Sequence, residues 1–370
     1  MAGLIKYDTS IFWTPYAVLS YNKMLNFIIG GTGIGKTFGM KKFCLSRFKK
    51  YREQFIWLRR YDEDNFDIST FFGQVDILEQ IGDTPDDWKI DNKGKIWHRR
   101  SVDENGDYIE YSGETEKYIE KEGQWEVAGF WKSLNRLMKK GSEYPDVFWI
   151  VFEEFIPHNM YQRYLPDEFN LFLKAWDAVH RYLREVKVFF LGNNESLYNP
   201  YMLAIDCTEK PAGKFWTSDT NDLTKECIVE FCDNKEVEAA HRATRMGRMI
   251  ACTKYGEHAL GNKSLQLNNN FIGKKGGFSV PIFNIIIDNV SYGVWADKKA
   301  QKFYVSENVC AGMQTYALRN TDHTPDTMAL RIIKTSPIWR NILYAYDCSN
   351  MYFETQKAKA AMMTIIKDGM

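Results

Sequence analysis

The clearest chemistry in the chain sits in one unbroken run, Gly30, Gly31, Thr32, Gly33, Ile34, Gly35, Lys36 and Thr37, which spells G-x-x-x-x-G-K-T. Glycine at 30, 33 and 35 allows backbone angles that side chains forbid, so successive N–H groups can converge on one phosphate. An ammonium at Lys36 can reach the β- and γ-phosphates of a nucleoside triphosphate, and the Thr37 hydroxyl can hold Mg²⁺. A helix that starts here turns its positive end toward the same anion. The plain alternative is a glycine-rich turn that happens to contain a lysine. The flanks decide against it: Met24 to Ile29 is an apolar run suited to a central strand, and Phe38, Met40, Phe43, Cys44 and Phe48 recur at helical spacing.

A phosphate loop alone does not separate kinases, GTPases and motors, so a second signal is needed. Val147-Phe148-Trp149-Ile150-Val151-Phe152 is a buried-strand run closed by Glu153 and Glu154. In P-loop ATPases an acid at this place holds the water shell of Mg²⁺, and in motors a following glutamate polarises the attacking water. Glu153 is therefore the candidate metal partner, with Thr37, and Glu154 the candidate base. Asn193 follows another buried run, Val186 to Leu191, where its amide can sense the γ-phosphate or hold the lytic water. Arg181 lies on the helical segment before that run, placed to reach a neighbouring subunit's nucleotide. The plain readings are exposed acids at a strand end, a turn asparagine and a solvated helix charge.

The elements that must position these residues follow from periodicity. Strands are expected near 24–29, 54–60, 147–154, 186–191 and 227–232, with helices after the loop, over 69–80, over 130–140 and from 166 to about 185. Short buried strands alternating with helices indicate a parallel sheet covered on both faces. Asp91-Asn92-Lys93-Gly94 and Glu104-Asn105-Gly106-Asp107 mark hairpins in an irregular stretch, and 114–122 reads as a charged, exposed insertion. The first 22 residues should wrap the nucleotide edge, with Tyr21 as packing or as a base-stacking ring. Residues 234–249 read as helical and basic, 278–294 as β-rich, and 355–367 as a last helix. These readings set domain limits at 1–205, 206–262 and 263–370.

Composition bounds the rest. A chain of 370 residues is long enough for more than one core, and its formal charge is zero, so contact with nucleic acid must come from local clusters or from a ring of subunits. The seven cysteines are scattered with no C-x-x-C, which argues for neither zinc nor disulfides and fits a reducing cytoplasm. No run has the length of a membrane span.

Taken together, the residues resemble the DNA-packaging ATPases of small short-tailed phages with protein-primed genomes. The likeness runs from Met24-Leu25-Asn26-Phe27 through the phosphate loop to Gln54-Phe55-Ile56 and Arg59-Arg60-Tyr61. It resumes at Ile150-Val151-Phe152-Glu153-Glu154-Phe155, Asn199-Pro200-Tyr201, Thr244-Arg245-Met246-Gly247-Arg248, Tyr255-Gly256-Glu257 and Gly293-Val294-Trp295. The resemblance implies an ASCE-type P-loop ATPase domain, a helical linker and a smaller C-terminal domain of RNase H type that has lost nuclease activity. It implies ATP and Mg²⁺ as ligands, and a homopentameric ring at the capsid portal that drives double-stranded DNA inward. In some relatives it implies a structural RNA as well. The setting implied is the host cytoplasm, transiently at the procapsid portal. By position, Glu154 matches the catalytic glutamate, Arg181 the trans-acting arginine and Asn193 the sensor. Two departures stand out: relatives have aspartate where this chain has Glu153, and lysine where it has Asp62. Asp288, Asp297 and Asp347 are the acids a nuclease would need, and the first two read as turn residues. Rival functions are a helicase-like or nucleoside-kinase enzyme, and a portal ring in which nucleotide is structural only. Lys139-Lys140 and 157–163 are the candidate DNA-contacting segments.

Overall fold

In a computed structural model the chain divides into two compact units, Met1–Ser264 and Leu265–Met370. The structure describes residues 9–61, 71–73, 77–109, 119–137, 144–157, 164–165, 167–181, 184–194, 197, 199–207, 213–251, 253, 271–287 and 289–367.

The first unit is built on one large sheet. Its strands are β1 (Leu25–Gly30), β2 (Gln54–Arg59), β3 (Trp88–Ile90), β4 (Lys95–Arg99), β5 (Lys121–Glu122), β6 (Trp125–Ser133), β7 (Val147–Glu153), β8 (Lys187–Asn193), β9 (Phe215–Trp216) and β10 (Cys227–Cys232). The order is β3-β4-β6-β2-β7-β8-β1-β10-β9, with β5 on β6. The six from β6 to β10 run parallel, and the antiparallel pairs lie at the two edges. The strand that feeds the phosphate loop and the strand that ends in the two acids are therefore separated by one strand, β8. That is the order expected of an ASCE-type P-loop ATPase.

Side-chain alternation builds a core on each face. On β8, Phe189 faces α1 (Lys36–Tyr51), where it meets Phe43, and Phe190 faces the other way. There Phe190 stacks on Phe27 with ring centroids 4.3 Å apart and meets Phe172 of α2 (Glu168–His180). Fully buried parallel strands read as continuous apolar runs, which is why β1, β7 and β8 are legible in the sequence.

The expected helix over 130–140 is overturned. Residues up to Ser133 are β6, in parallel register with β2 (Phe55 opposite Gly129, Trp57 opposite Trp131), and only Leu134–Leu137 is helical before residues outside the described set. The aromatic and β-forming residues of Trp125–Trp131 fill the slot beside β2, and tertiary pairing overrides the apparent helical spacing. The sheet gains a sixth parallel strand by this means. Of the helix expected over 69–80, residues 71–72 and Ile77–Ile81 are helical while Gly73 is not, and α2 stops at His180 rather than near residue 185. Tyr21 packs on Phe215 at 5.0 Å between centroids, the plain reading. Asp62, Lys139-Lys140 and 158–163 lie outside the described residues.

In the second unit β11 (Val280–Ile287), β12 (Val290–Asp297), β13 (Lys302–Ser306), β14 (Thr315–Ala317), β15 (Thr327–Ala329) and β16 (Met351–Phe353) form a sheet ordered β15-β14-β11-β12-β13-β16. β11, β12 and β13 are antiparallel, while β14 pairs parallel with β11 and with β15, the connectivity of an RNase H type sheet. Val294, Val305 and Phe353 form its core with Trp339, Ile342, Met362 and Ile365 of the C-terminal helices. Asp297 accepts from the backbone N–H groups of Lys299 and Ala300, at 3.0 and 2.9 Å, so it serves a turn. Asp347 is exposed at a helix end, and Asp288 lies outside the described residues.

The β3–β4 hairpin is pinned to the end of α1 by a buried charged network. His98 stands 3.5 Å from Asp83 and 3.6 Å from Glu126, Arg52 pairs with Glu126 at 2.8 Å, and Lys49 pairs with Asp83. Burial by itself lowers the His98 pKa, but Asp83 and Glu126 outweigh it and raise the ring above its ordinary 6.5. A raised folded-state pKa contributes stability that is complete below the unfolded value and lost as pH rises through the folded one. Thermal unfolding of wild type and His98→Phe, compared across pH, should show the wild-type advantage complete between about pH 5 and 6.5 and shrinking above. A pH-independent gap would remove the charge from this role.

Candidate functional site

The phosphate loop leaves β1 at Gly30 and enters α1 at Lys36. Gly33 and Gly35 hold φ of +83° and +89°, the left-handed region that favours glycine. Both are also crowded: a Cβ on Gly33 would lie 2.6 Å from the His241 ring, and one on Gly35 would lie 2.5 Å from Phe12. Phe12 belongs to the N-terminal segment, and Trp13 behind it donates its backbone N–H to Ile34 O at 3.0 Å and its indole N–H to Glu230 at 2.8 Å. His241 belongs to α3 (Lys235–Ala243), which α4 (Arg245–Ile250) follows. Asn234 at the start of α3 donates to Ile11 O at 2.6 Å, so the two walls of the loop are tied together.

Lys36 donates to Gly30 O and Gly31 O, both at 2.8 Å, and stands 3.4 Å from Asn193 Oδ1. Burial pushes its ammonium down to about 8. Asn193 is there because β8 pairs with β1 and sets Asn193 opposite Gly30.

The two acids diverge. Glu153, the last residue of β7, is 8 % exposed and uses both oxygens: Thr37 Oγ1 donates to Oε1 at 2.8 Å, while Trp57 Nε1 at 2.8 Å and Arg59 Nη2 at 2.9 Å meet Oε2. Burial by itself would raise this carboxyl; Arg59, Lys41 and the hydrogen bonds from Trp57 and Thr37 outweigh it and hold the pKa below the usual range. Glu154 is more open and takes a left-handed φ of +57°, a conformation that costs a non-glycine residue energy. The turn re-aims its carboxylate, which Arg59 Nη1 meets at 3.3 Å.

Arg60 is a site residue that the sequence did not reveal, standing there only as the end of a strand expected near 54–60. It is 4 % exposed and clamps the strained turn by donating to Glu154 O at 3.1 Å and Phe155 O at 2.6 Å. Its Nε pairs with buried Glu168 at 2.8 Å, and Tyr201 completes the cluster by donating to Glu168 at 2.8 Å. The spacing offered one signal, two arginines at a strand end where one would point outward and the other inward.

The structure thus brings Lys36, Thr37, Glu153, Glu154 and Asn193 to one edge of the sheet and adds Arg59. Arg181 is not among them. It is an exposed residue capping the end of α2, which precedes β8 in the chain, whereas Asn193 is the last residue of β8. A hydroxyl and a carboxylate oxygen 2.8 Å apart at the mouth of the loop are hard oxygen donors of the kind Mg²⁺ takes, so these residues fit that ion. Among the described residues no cluster of three or more His, Cys, Asp or Glu forms another metal site.

A glycine-rich G-x-x-x-x-G-K-T loop between β1 and α1, an acid-tipped strand one strand away and an asparagine closing the strand between them define the fold of an ASCE-type P-loop ATPase. The chain belongs to the Podovirus DNA encapsidation protein (Gp16) family, which it matches over residues 7–97 and 118–368. It is 30 % identical over 356 residues to a DNA packaging protein of Bacillus phage PZA, an alignment spanning 96 % of this chain and 92 % of that one. The DNA packaging protein of Bacillus phage phi29 is 29 % identical over the same shares. The solved viral genome packaging motor assembly of bacteriophage Phi-29 is similar in structure, with a TM-score of 0.68 and 26 % identity over 97 % of this chain and all of that chain.

Removing Arg60 leaves Glu168 buried without its cation and the Glu154 turn without its clamp. Arg60→Ala should cost about 3–5 kcal/mol in chemical denaturation, and Arg60→Lys should recover only part of it because one ammonium cannot span three acceptors. A loss below about 1 kcal/mol would show the clamp to be dispensable.

Proposed function

We propose that this chain is an ATP-hydrolysing motor that moves double-stranded viral DNA through the portal into a preformed capsid. The observation that carries the reading is the Thr37–Glu153–Arg59–Glu154 line at the mouth of the phosphate loop, in a chain whose relatives are named as DNA packaging proteins. ATP is the substrate. The loop from Gly30 to Gly35 wraps its phosphates, Lys36 exchanges its carbonyl partners for phosphate oxygens, and Thr37 and Glu153 hold Mg²⁺. That ion, when bound, offsets charge on the β- and γ-phosphates. Glu154 accepts the proton of the attacking water, and Asn193, within reach of Lys36, reads the γ-phosphate.

The partners proposed are double-stranded DNA, the portal, further copies of the chain in a ring read as a homopentamer and, as in some relatives, a structural RNA. The place proposed is the host cytoplasm, transiently at the procapsid. Among the described residues no helix is long and apolar enough to cross a membrane. The domain limits proposed are 1–205 for the ATPase, 206–262 for the helical linker and 263–370 for the vestigial nuclease-like part. A helicase-like ATPase would act on DNA without a capsid, a nucleoside kinase would ignore DNA, and a nucleotide-glued portal ring would need no base beside the metal residues. DNA-stimulated ATPase activity that depends on the portal separates these readings.

Lys36→Ala should weaken nucleotide binding and abolish turnover. Glu154→Gln keeps shape but accepts no proton, so ATP should still bind while turnover falls by about two to four orders of magnitude. If Glu153→Gln alone spares binding and stops turnover, the two acids have been assigned in reverse.

Arg181 caps the end of α2 that precedes β8, whereas Asn193 closes the far end of that strand, and this placement supports the proposal that Arg181 completes a neighbour's site. Rings mixed from Arg181→Ala and Glu154→Gln subunits, each inactive alone, should regain ATPase activity, because some interfaces join an intact base to an intact arginine. Such an arginine contributes on the order of a thousand-fold, so a few complete sites are measurable. Assembled mixed rings with no recovery would return Arg181 to a solvated helix charge.

A further inference from the structure

The contact between Trp57 and Glu153 has a consequence for the metal residues. Trp57 is a β2 residue, 1 % exposed, opposite Val151 of β7, with its side chain on the α1 face of the sheet. Phe71 meets its ring edge-on at 5.5 Å between centroids, and the Lys41 ammonium lies 5.4 Å from it, so the indole has one place to be. A buried indole N–H needs an acceptor, and here the acceptor is Glu153 Oε2 at 2.8 Å.

A glutamate side chain turns about more bonds than an aspartate and presents its carboxylate one methylene further out. Left alone it would sample several positions at the loop mouth, each costing rotamer entropy to select. Trp57 fixes Oε2 from behind and from the core, and Arg59 meets the same oxygen from the more open side. With Oε2 held, Oε1 is the oxygen left facing Thr37, 2.8 Å away.

We propose that Trp57 is a positioning residue for Mg²⁺, setting the reach of Glu153 so that Oε1 and the Thr37 hydroxyl face the ion together. The indole and the long acid are a matched pair: aspartate, shorter by a methylene, cannot meet Thr37 and Trp57 at once. The proposal rests on the reading that Glu153 and Thr37 hold Mg²⁺, and goes beyond it in assigning the geometry to a residue that touches neither nucleotide nor ion.

The test measures metal dependence rather than turnover. Full-length protein is loaded with a fluorescent ADP analogue in EDTA, and Mg²⁺ is then titrated in below the melting temperature. Trp57→Phe keeps an aromatic ring without the N–H. It should bind the analogue in EDTA as wild type does, yet need roughly tenfold or more Mg²⁺ for the half-maximal response, the size of one hydrogen bond to a charged group. Glu153→Asp should lose Mg²⁺ response strongly with Trp57 present and much less in the Trp57→Phe background, a non-additivity that a purely structural tryptophan would not give. An unchanged Mg²⁺ midpoint in Trp57→Phe, or additive effects in the pair, overturns the proposal. Should Trp57→Phe fail to fold, Glu153→Asp alone decides: a wild-type Mg²⁺ midpoint sinks the matched pair. A wild-type protein indifferent to Mg²⁺ would overturn the metal reading of Glu153 itself, and this proposal with it.

Discussion

A buried carboxylate has to be matched on every lone pair it keeps from water, and at Glu153 that requirement ties three elements together. The first turn of α1 supplies a hydroxyl, the core of β2 an indole N–H and the end of β2 a guanidinium. Removing any one partner leaves a charge in a low-dielectric setting, where the penalty is several times that on the surface. The mouth of the phosphate loop therefore cannot relax independently of the sheet. The same arrangement keeps the carboxyl ionised despite its burial, which is the state a divalent cation needs.

A second constraint acts one residue further on. Glu154 sits in a backbone conformation that a glutamate does not choose, and such strain persists only where the surroundings over-determine it. Arg60 supplies that over-determination through the carbonyls of Glu154 and Phe155, anchored in turn by Glu168 and Tyr201. The adjacent arginines thus divide their work by strand alternation. Arg59 serves the carboxylates at the loop mouth, and Arg60 serves the backbone behind them.

The loop is walled by residues from distant parts of the chain. Phe12 from the N-terminal segment crowds Gly35, His241 from α3 crowds Gly33, and Asn234 links those two walls through Ile11. Side chains at either glycine would strike these rings as well as strain the backbone, so the glycines serve packing and loop geometry together.

Much of this was legible before any fold was known. The phosphate loop, the acid pair and the strands β1, β7, β8 and β10 announce themselves because local rules govern them: glycines permit a turn, and strands buried on both faces must be apolar throughout. Residues 130–133 were misread as the start of a helix because the strand character of Trp125–Ser133 comes from β2 beside it and not from its own periodicity. Arg60 and Trp57 were invisible as site residues for a related reason. A charged strand exit and a core tryptophan look the same in sequence whether or not they meet a carboxylate, and only the pairing of β2 with β7, nearly a hundred residues apart, brings Trp57 to Glu153 and Arg60 to Glu154. The amino-acid sequence by itself determined which chemistry was present. The tertiary structure decided which groups hold that chemistry in place, because buried polar atoms take their partners from whatever strand packs beside them.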